Sequence, residues 1–143
     1  MMGKNIRRVI SIVLVLLMTC SSMLFAKGTD YLGHWAERSI QNWIDKGYVQ
    51  GYPDGSFKPE NDITRAEFMT IVNRTFGFEK EVEISYKDVN ASHWAYREFK
   101  RANAIGYIEG FEDGTLRPNN KITRQEVAVI VARLLNLEDA KAS

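Results

Sequence analysis

Ile63-Thr64-Arg65-Ala66-Glu67 and Ile122-Thr123-Arg124-Gln125-Glu126 decide the fold. In each, a threonine stands three residues before a glutamate, and apolar residues follow at helical spacing. They are Phe68, Ile71, Val72 and Phe76 in the first case, and Val127, Ile130, Val131, Leu134 and Leu135 in the second. This is a capping box. The hydroxyl takes the N–H of the third helical residue, and the glutamate reaches back to the N–H of the threonine. Ile63 and Ile122 stand where a hydrophobic staple belongs. Two helices are predicted to start here.

Working outward, the two stretches are copies. At a constant offset of 59, His34-Trp35-Ala36 meets His93-Trp94-Ala95, Gly47-Tyr48 meets Gly106-Tyr107, Asp54-Gly55 meets Asp113-Gly114, and Pro59 meets Pro118. Between 34–78 and 93–137, 18 of 45 positions are identical, so the chain carries an internal duplication. Each copy reads as helix, loop, helix. Trp35, Ala36, Ile40, Trp43 and Ile44 fall on one stripe, as do Trp94, Ala95, Phe99, Ala102 and Ile105. Gly47 and Gly106 follow as left-handed caps. The Asp-Gly and Pro residues mark the loops, which have room for very short strands at Tyr48-Val49 and Ser56-Phe57. The expectation is a mainly α fold of two tandem repeats, 30–78 and 88–137, with a polar linker at 79–87 and a tail at 138–143.

The N-terminus reads differently. Lys4, Arg7 and Arg8 precede an apolar run from Val9 to Met18, then small and polar residues lead to Ala26. This layout predicts a secretory signal peptide over 1–26; the run is too short for a membrane span. Cys20 sits where a lipoprotein carries its lipidated cysteine, but Thr19 fits that maturation badly, so no membrane partner is expected unless Cys20 is lipidated. The net charge of +1 becomes −2 once the leader's three positive charges are removed. A slightly acidic chain has no basic footprint for nucleic acid.

Arg65 and Arg124 are not explained by helix-start chemistry. A cation in the first helical position opposes the macrodipole. Yet the exposed N–H groups there attract anions, and a guanidinium adds a fork suited to carboxylate or phosphate. Either both arginines hold an anionic ligand, or each makes a local ion pair, Arg65 to Asp54 or Glu67 and Arg124 to Asp113 or Glu126.

His-Trp-Ala, the Gly-Tyr and Asp-Gly runs, Pro59 and Pro118, and Ile-Thr-Arg-x-Glu together resemble the S-layer homology (SLH) domain, over about Asp30–Phe78 and Asp88–Leu137. Copy two departs from the signature pentapeptide once, at Gln125. The resemblance implies a secreted protein at the bacterial cell surface, in the cell wall or S-layer, that anchors without covalent bonds. The implied partner is an anionic secondary cell-wall polysaccharide, often pyruvylated. It further implies that Thr64-Arg65 and Thr123-Arg124 line the groove, with both arginines on the carboxylate and Asp54 and Asp113 on the groove's loop, in reach of sugar hydroxyls. Trp35 and Trp94 are open to stacking on sugar but preferred as core; Tyr52 and Phe111 are alternative lining residues. The family uses three repeats in a pseudo-threefold bundle. Two here make a partial bundle, to be completed by self-association, by another SLH-containing protein, or by a single-groove form.

No catalytic residue, metal site or cofactor is expected. His34 and His93, the only histidines, sit at equivalent positions, and no nucleophile motif or ligand spacing accompanies them. Asp54 to Glu67 lacks the alternating acids of a calcium loop. The competing reading is a structural subunit that docks with other SLH-bearing envelope proteins and touches no sugar.

Overall fold

The computed structural model describes residues 28–137. The expected signal peptide, Cys20 and the tail therefore lie outside the described residues. Four helices follow one another, α1 (Glu37–Asp45), α2 (Arg65–Phe76), α3 (Tyr96–Ile105) and α4 (Arg124–Leu134). The fold is mainly α. The very short strands for which the loops have room do not form among the described residues. Only single bridges occur, Thr64 with Lys121 and Tyr86 with Val89.

Local chemistry sets the boundaries. Both capping boxes are complete, with Thr64 and Thr123 accepting from the N–H of Glu67 and Glu126. Gly47 and Gly106 take the left-handed conformation at φ 73° and 83°. The first helix of each copy begins later than the stripe suggested, at Glu37 and Tyr96. Its N-cap is an alanine that cannot cap, and a histidine substitutes. His34 and His93 Nδ1 each accept the N–H of the alanine two residues on, at 3.1 Å.

Packing crosses the boundary between the copies. The extensive helix pair is α2 with α3, the last helix of one repeat and the first of the next. Their core joins Ala66, Met69 and Val72 to Ala95, Phe99 and Ala102, closed by Tyr107, Leu116 and Ile130. A buried polar link fixes the register: Asn73 donates to the Glu98 carbonyl at 2.9 Å and its carboxylate at 2.8 Å, and Tyr107 donates to Asn73 Oδ1 at 2.7 Å. Satisfying every buried partner is what makes such a link stabilising. The 79–87 segment is tied down too: Glu81 and Glu83 pair with Arg97 and Lys100 of α3 at 2.9 and 2.7 Å.

The outward faces of the two outer helices are exposed. No residue of α1 is buried, and Trp43 is 44% exposed where its counterpart Ala102 is fully buried. On α4, Val129 and Val131 are exposed, whereas Thr70 and Val72 of α2 are buried.

Candidate functional site

The two pentapeptides meet different surroundings. Arg65 is buried, 4% exposed, inside the second repeat. Its Nε donates to the Leu116 carbonyl at 2.8 Å and its Nη1 to Glu126 Oε1 at 2.7 Å. Its guanidinium also lies 4.9 Å from the Phe111 ring centre, a ring that Arg117 approaches to 3.8 Å. The local ion pair with Asp54 or Glu67, one of the two readings of this arginine, is corrected: the partner is Glu126 of the other copy. Arg124 is exposed and makes no ion pair among the described residues, with Asp113, Glu126 or any other acid.

The helix starts differ in the same way. The N–H of Arg65 donates to the Asn120 carbonyl at 2.9 Å and that of Ala66 to the Pro118 carbonyl at 3.0 Å. The dipole site at α2 is thus filled by protein acceptors and is not open to an anion. The matching N–H groups of Arg124 and Gln125 have no such partner among the described residues. Thr64 and Thr123 are occupied by their capping boxes.

Electrostatics follow the geometry. Burial pulls the Arg65 pKa below its ordinary value, opposed by Glu126, and the group stays protonated at neutral pH. Burial pushes Glu126 up, but the N–H and hydroxyl of Thr123 and the charge of Arg65 hold it below its ordinary value. In the first repeat the place of the arginine at the glutamate is taken by a phenol: Tyr52 donates to Glu67 Oε1 at 2.8 Å. That bond, reinforced by burial, raises the Tyr52 pKa to about 12.

Asp54 and Asp113 shape their loops from within. Each accepts from the N–H and hydroxyl two residues on, Ser56 or Thr115, and pairs with Lys58 or Arg117 at 3.2 or 3.0 Å. The Thr115 hydroxyl, with Arg117 next, brings Asp113 down to about 2. Sequence reasoning missed a second pair of acids. Asp30 accepts the N–H groups of Phe57 and Lys58 at 2.8 and 2.7 Å, and Asp88 those of Leu116 and Arg117 at 2.8 and 2.7 Å. They clamp Lys58 and Arg117 at φ 56° and 51°, a region costly for side-chain-bearing residues. Their spacing of 58 breaks the constant offset, because one extra residue before His93 is absorbed by an Asn90 turn. An acid kept across such a break was the available signal.

Trp35 and Trp94 require a second correction. The preferred core reading fails, since they are 90% and 62% exposed. Both precede their helices, and the inward place at that turn in copy two is filled by Ala95. Each indole rests against its neighbouring histidine, ring centres 5.4 and 5.9 Å apart.

A cavity of about 260 Å³ opens beside Arg65, walled by Phe111, Gln125, Glu126 and Arg133. Arg133 is held by Glu109 at 2.7 Å. The Nη2 donors of Arg65 make no bond among the described residues, so one edge of an otherwise immobilised fork is left for a ligand. A broader depression of about 740 Å³ lies on α1 beside Trp35. Its charges alternate, Glu37 with Arg38 and Asp45 with Lys46, so it has no preference for an anion.

Comparison with known sequences completes the picture. The S-layer homology domain matches residues 29–69 and 85–128, more than half of the chain. Cell surface glycoprotein 1 of Acetivibrio thermocellus is 38% identical over 113 residues, 71% of this chain and 5% of that protein. The cellulosome-anchoring protein of the same organism is 38% identical over 124 residues, 80% of this chain and 26% of its own. The surface-layer 125 kDa protein of Lysinibacillus sphaericus is 34% identical over 104 residues, 73% and 9% respectively. The chain thus spans about a quarter or less of the length of these relatives. On the family match, and on two copies of the signature segment in equivalent capped helices, the chain belongs to the S-layer homology domain family.

Proposed function

We propose that this chain is a non-catalytic anchoring module that holds an anionic secondary cell-wall polysaccharide in the Arg65 cavity. Its place is the cell surface, in keeping with relatives named as surface-layer and cell-surface proteins. The observation that carries the reading is the free Nη2 edge of Arg65 in a cavity of about 260 Å³. The other bonds of that guanidinium fix its orientation before any ligand arrives, and a fork so fixed loses little freedom on meeting a carboxylate. A pyruvate ketal presents such a carboxylate on a sugar. The exposed indoles Trp35 and Trp94 do not wall this cavity; they offer separate flat apolar faces for sugar rings elsewhere on the polymer.

The test uses the protein purified after secretion and incubated with purified cell walls. Three wall preparations are compared: intact, stripped of polysaccharide, and stripped of the ketals alone. Retention is expected on intact walls only. Arg65→Lys, which keeps the charge but loses the fork, should weaken retention by about tenfold or more. Retention that survives removal of the polysaccharide contradicts the reading.

A further inference from the structure

The α2–α3 junction inside the chain is a template for a junction between chains. The ion pairs and the backbone and arginine bonds made there by the first repeat have counterparts at the start of α4, and those received by the second have counterparts in the loop of the first. We infer that a second copy of this chain docks head to tail, Arg124 and the α4 face of one copy entering the Tyr52–Glu67 socket and the α1 face of the next.

Three observations point to a second copy as the occupant. The first is charge. Lys121 pairs with Asp62 across the internal junction at 2.8 Å, and the offset of 59 places the same two residues opposite one another again at the next junction. Arg124, free of ion pairs among the described residues, meets Glu67 as Arg65 meets Glu126. A carboxylate oxygen has lone pairs for both the Tyr52 hydroxyl and a guanidinium.

The second is backbone valence. Arg65 and Ala66 donate to Asn120 and Pro118, and the side chain of Arg65 to Leu116. The counterparts Asn61, Pro59 and Phe57 keep carbonyls that accept nothing among the described residues, while the N–H groups of Arg124 and Gln125 are unpaired at the other end. Donors and acceptors match in number and order.

The third is volume. Inside the chain a bulky donor face, Met69 and Asn73, is buried at the same junction as small Ala102. On the outer faces the sizes are exchanged: Ala128 and Ala132 stand at the donor positions and Trp43 at the receiving one. The polar pair leaves both sides together, since Asn73 becomes Ala132 where Glu98 becomes Ser39. A buried asparagine facing no acceptor is costly, and neither end carries that mismatch. The exposed Trp43, Val129 and Val131 are the apolar surface that such a contact covers.

Head-to-tail contacts are heterologous and build rings or open chains, which gives the test its logic. Sedimentation of the secreted protein from about 1 to about 200 µM should show two or more copies with rising concentration. Arg124→Glu spoils the donor end and Trp43→Glu the receiving end; neither residue belongs to the core, so circular dichroism should be unchanged. Each variant alone should associate at least tenfold more weakly. An equimolar mixture should form a complex of one copy of each, because one intact junction remains. A wild-type chain that stays monomeric throughout, a variant that associates like wild type, or a mixture that forms no complex overturns the proposal. The inference is independent of polysaccharide binding: below the associating concentration, Trp43→Glu should still be retained on walls.

Discussion

Arg65 and Arg124 occupy the same place in the same pentapeptide, yet one is locked into a neighbouring repeat and the other stands in water. Their substitutions should differ accordingly. Arg65→Ala leaves Glu126 without its cation and the Leu116 carbonyl without its donor, a loss of roughly 2–4 kcal/mol. Arg124→Ala should change the stability of the monomer by less than about 0.5 kcal/mol. Denaturant unfolding measures both. The pH dependence follows from Glu126, whose pKa in the fold lies below its ordinary 4.5. A depressed carboxylate contributes stability that is complete above that value and is lost as pH falls through the folded pKa. Between about pH 5 and pH 3 the Tm of the wild type should therefore drop more steeply than that of Glu126→Gln. The sequence marked Arg65 as unusual but not its partner. Local spacing offered Asp54 and Glu67, whereas the acid it meets is 61 residues away, which only the packing of one repeat on the next can reveal.

The elements divide into those whose ends are written locally and those whose conformation is imposed. The capping boxes and the glycine caps lie within a few residues of the bonds they make, so they were legible. The exposure of Trp35 and Trp94 was not, because the apolar stripe runs back to the tryptophan, whereas an alanine N-cap and a histidine start the helix two residues later. The left-handed Lys58 and Arg117 were also hidden, being held by acids 28 and 29 residues earlier. Asp88→Ala should cost about 2 kcal/mol, as two N–H groups lose their acceptor and Arg117 its restraint. It should also weaken wall retention, since the same turn presents the Leu116 carbonyl to Arg65. Among helices, α1 has no fully buried residue while α2 and α3 hold most of the helical part of the core. Hydrogen exchange in the monomer should be fastest in Glu37–Asp45 and slowest in Arg65–Phe76 and Tyr96–Ile105.

At the scale of the molecule, the repeat written in the sequence is not the unit that packs. Helix–loop–helix was legible twice over, but not that the core is shared unevenly: most of its buried residues belong to the second repeat, and Ala66, Met69 and Val72 of the first complete it. Phe99→Ala, at the centre of that core, should cost about 3–5 kcal/mol. It should lower the unfolding of both repeats in one transition, with tryptophan fluorescence and circular dichroism coincident. The same seam creates the candidate site, since an arginine from the first repeat reaches a cavity of the second. On the proposed function it is Arg65, not Arg124, that meets the polymer. Arginine-selective NMR of the dilute protein, titrated with purified wall polysaccharide fragments, reads this directly. The Nε–Hε resonance of Arg65 should shift progressively while that of Arg124 stays in place; a shift at Arg124 with Arg65 unmoved would place the polymer at the other helix start.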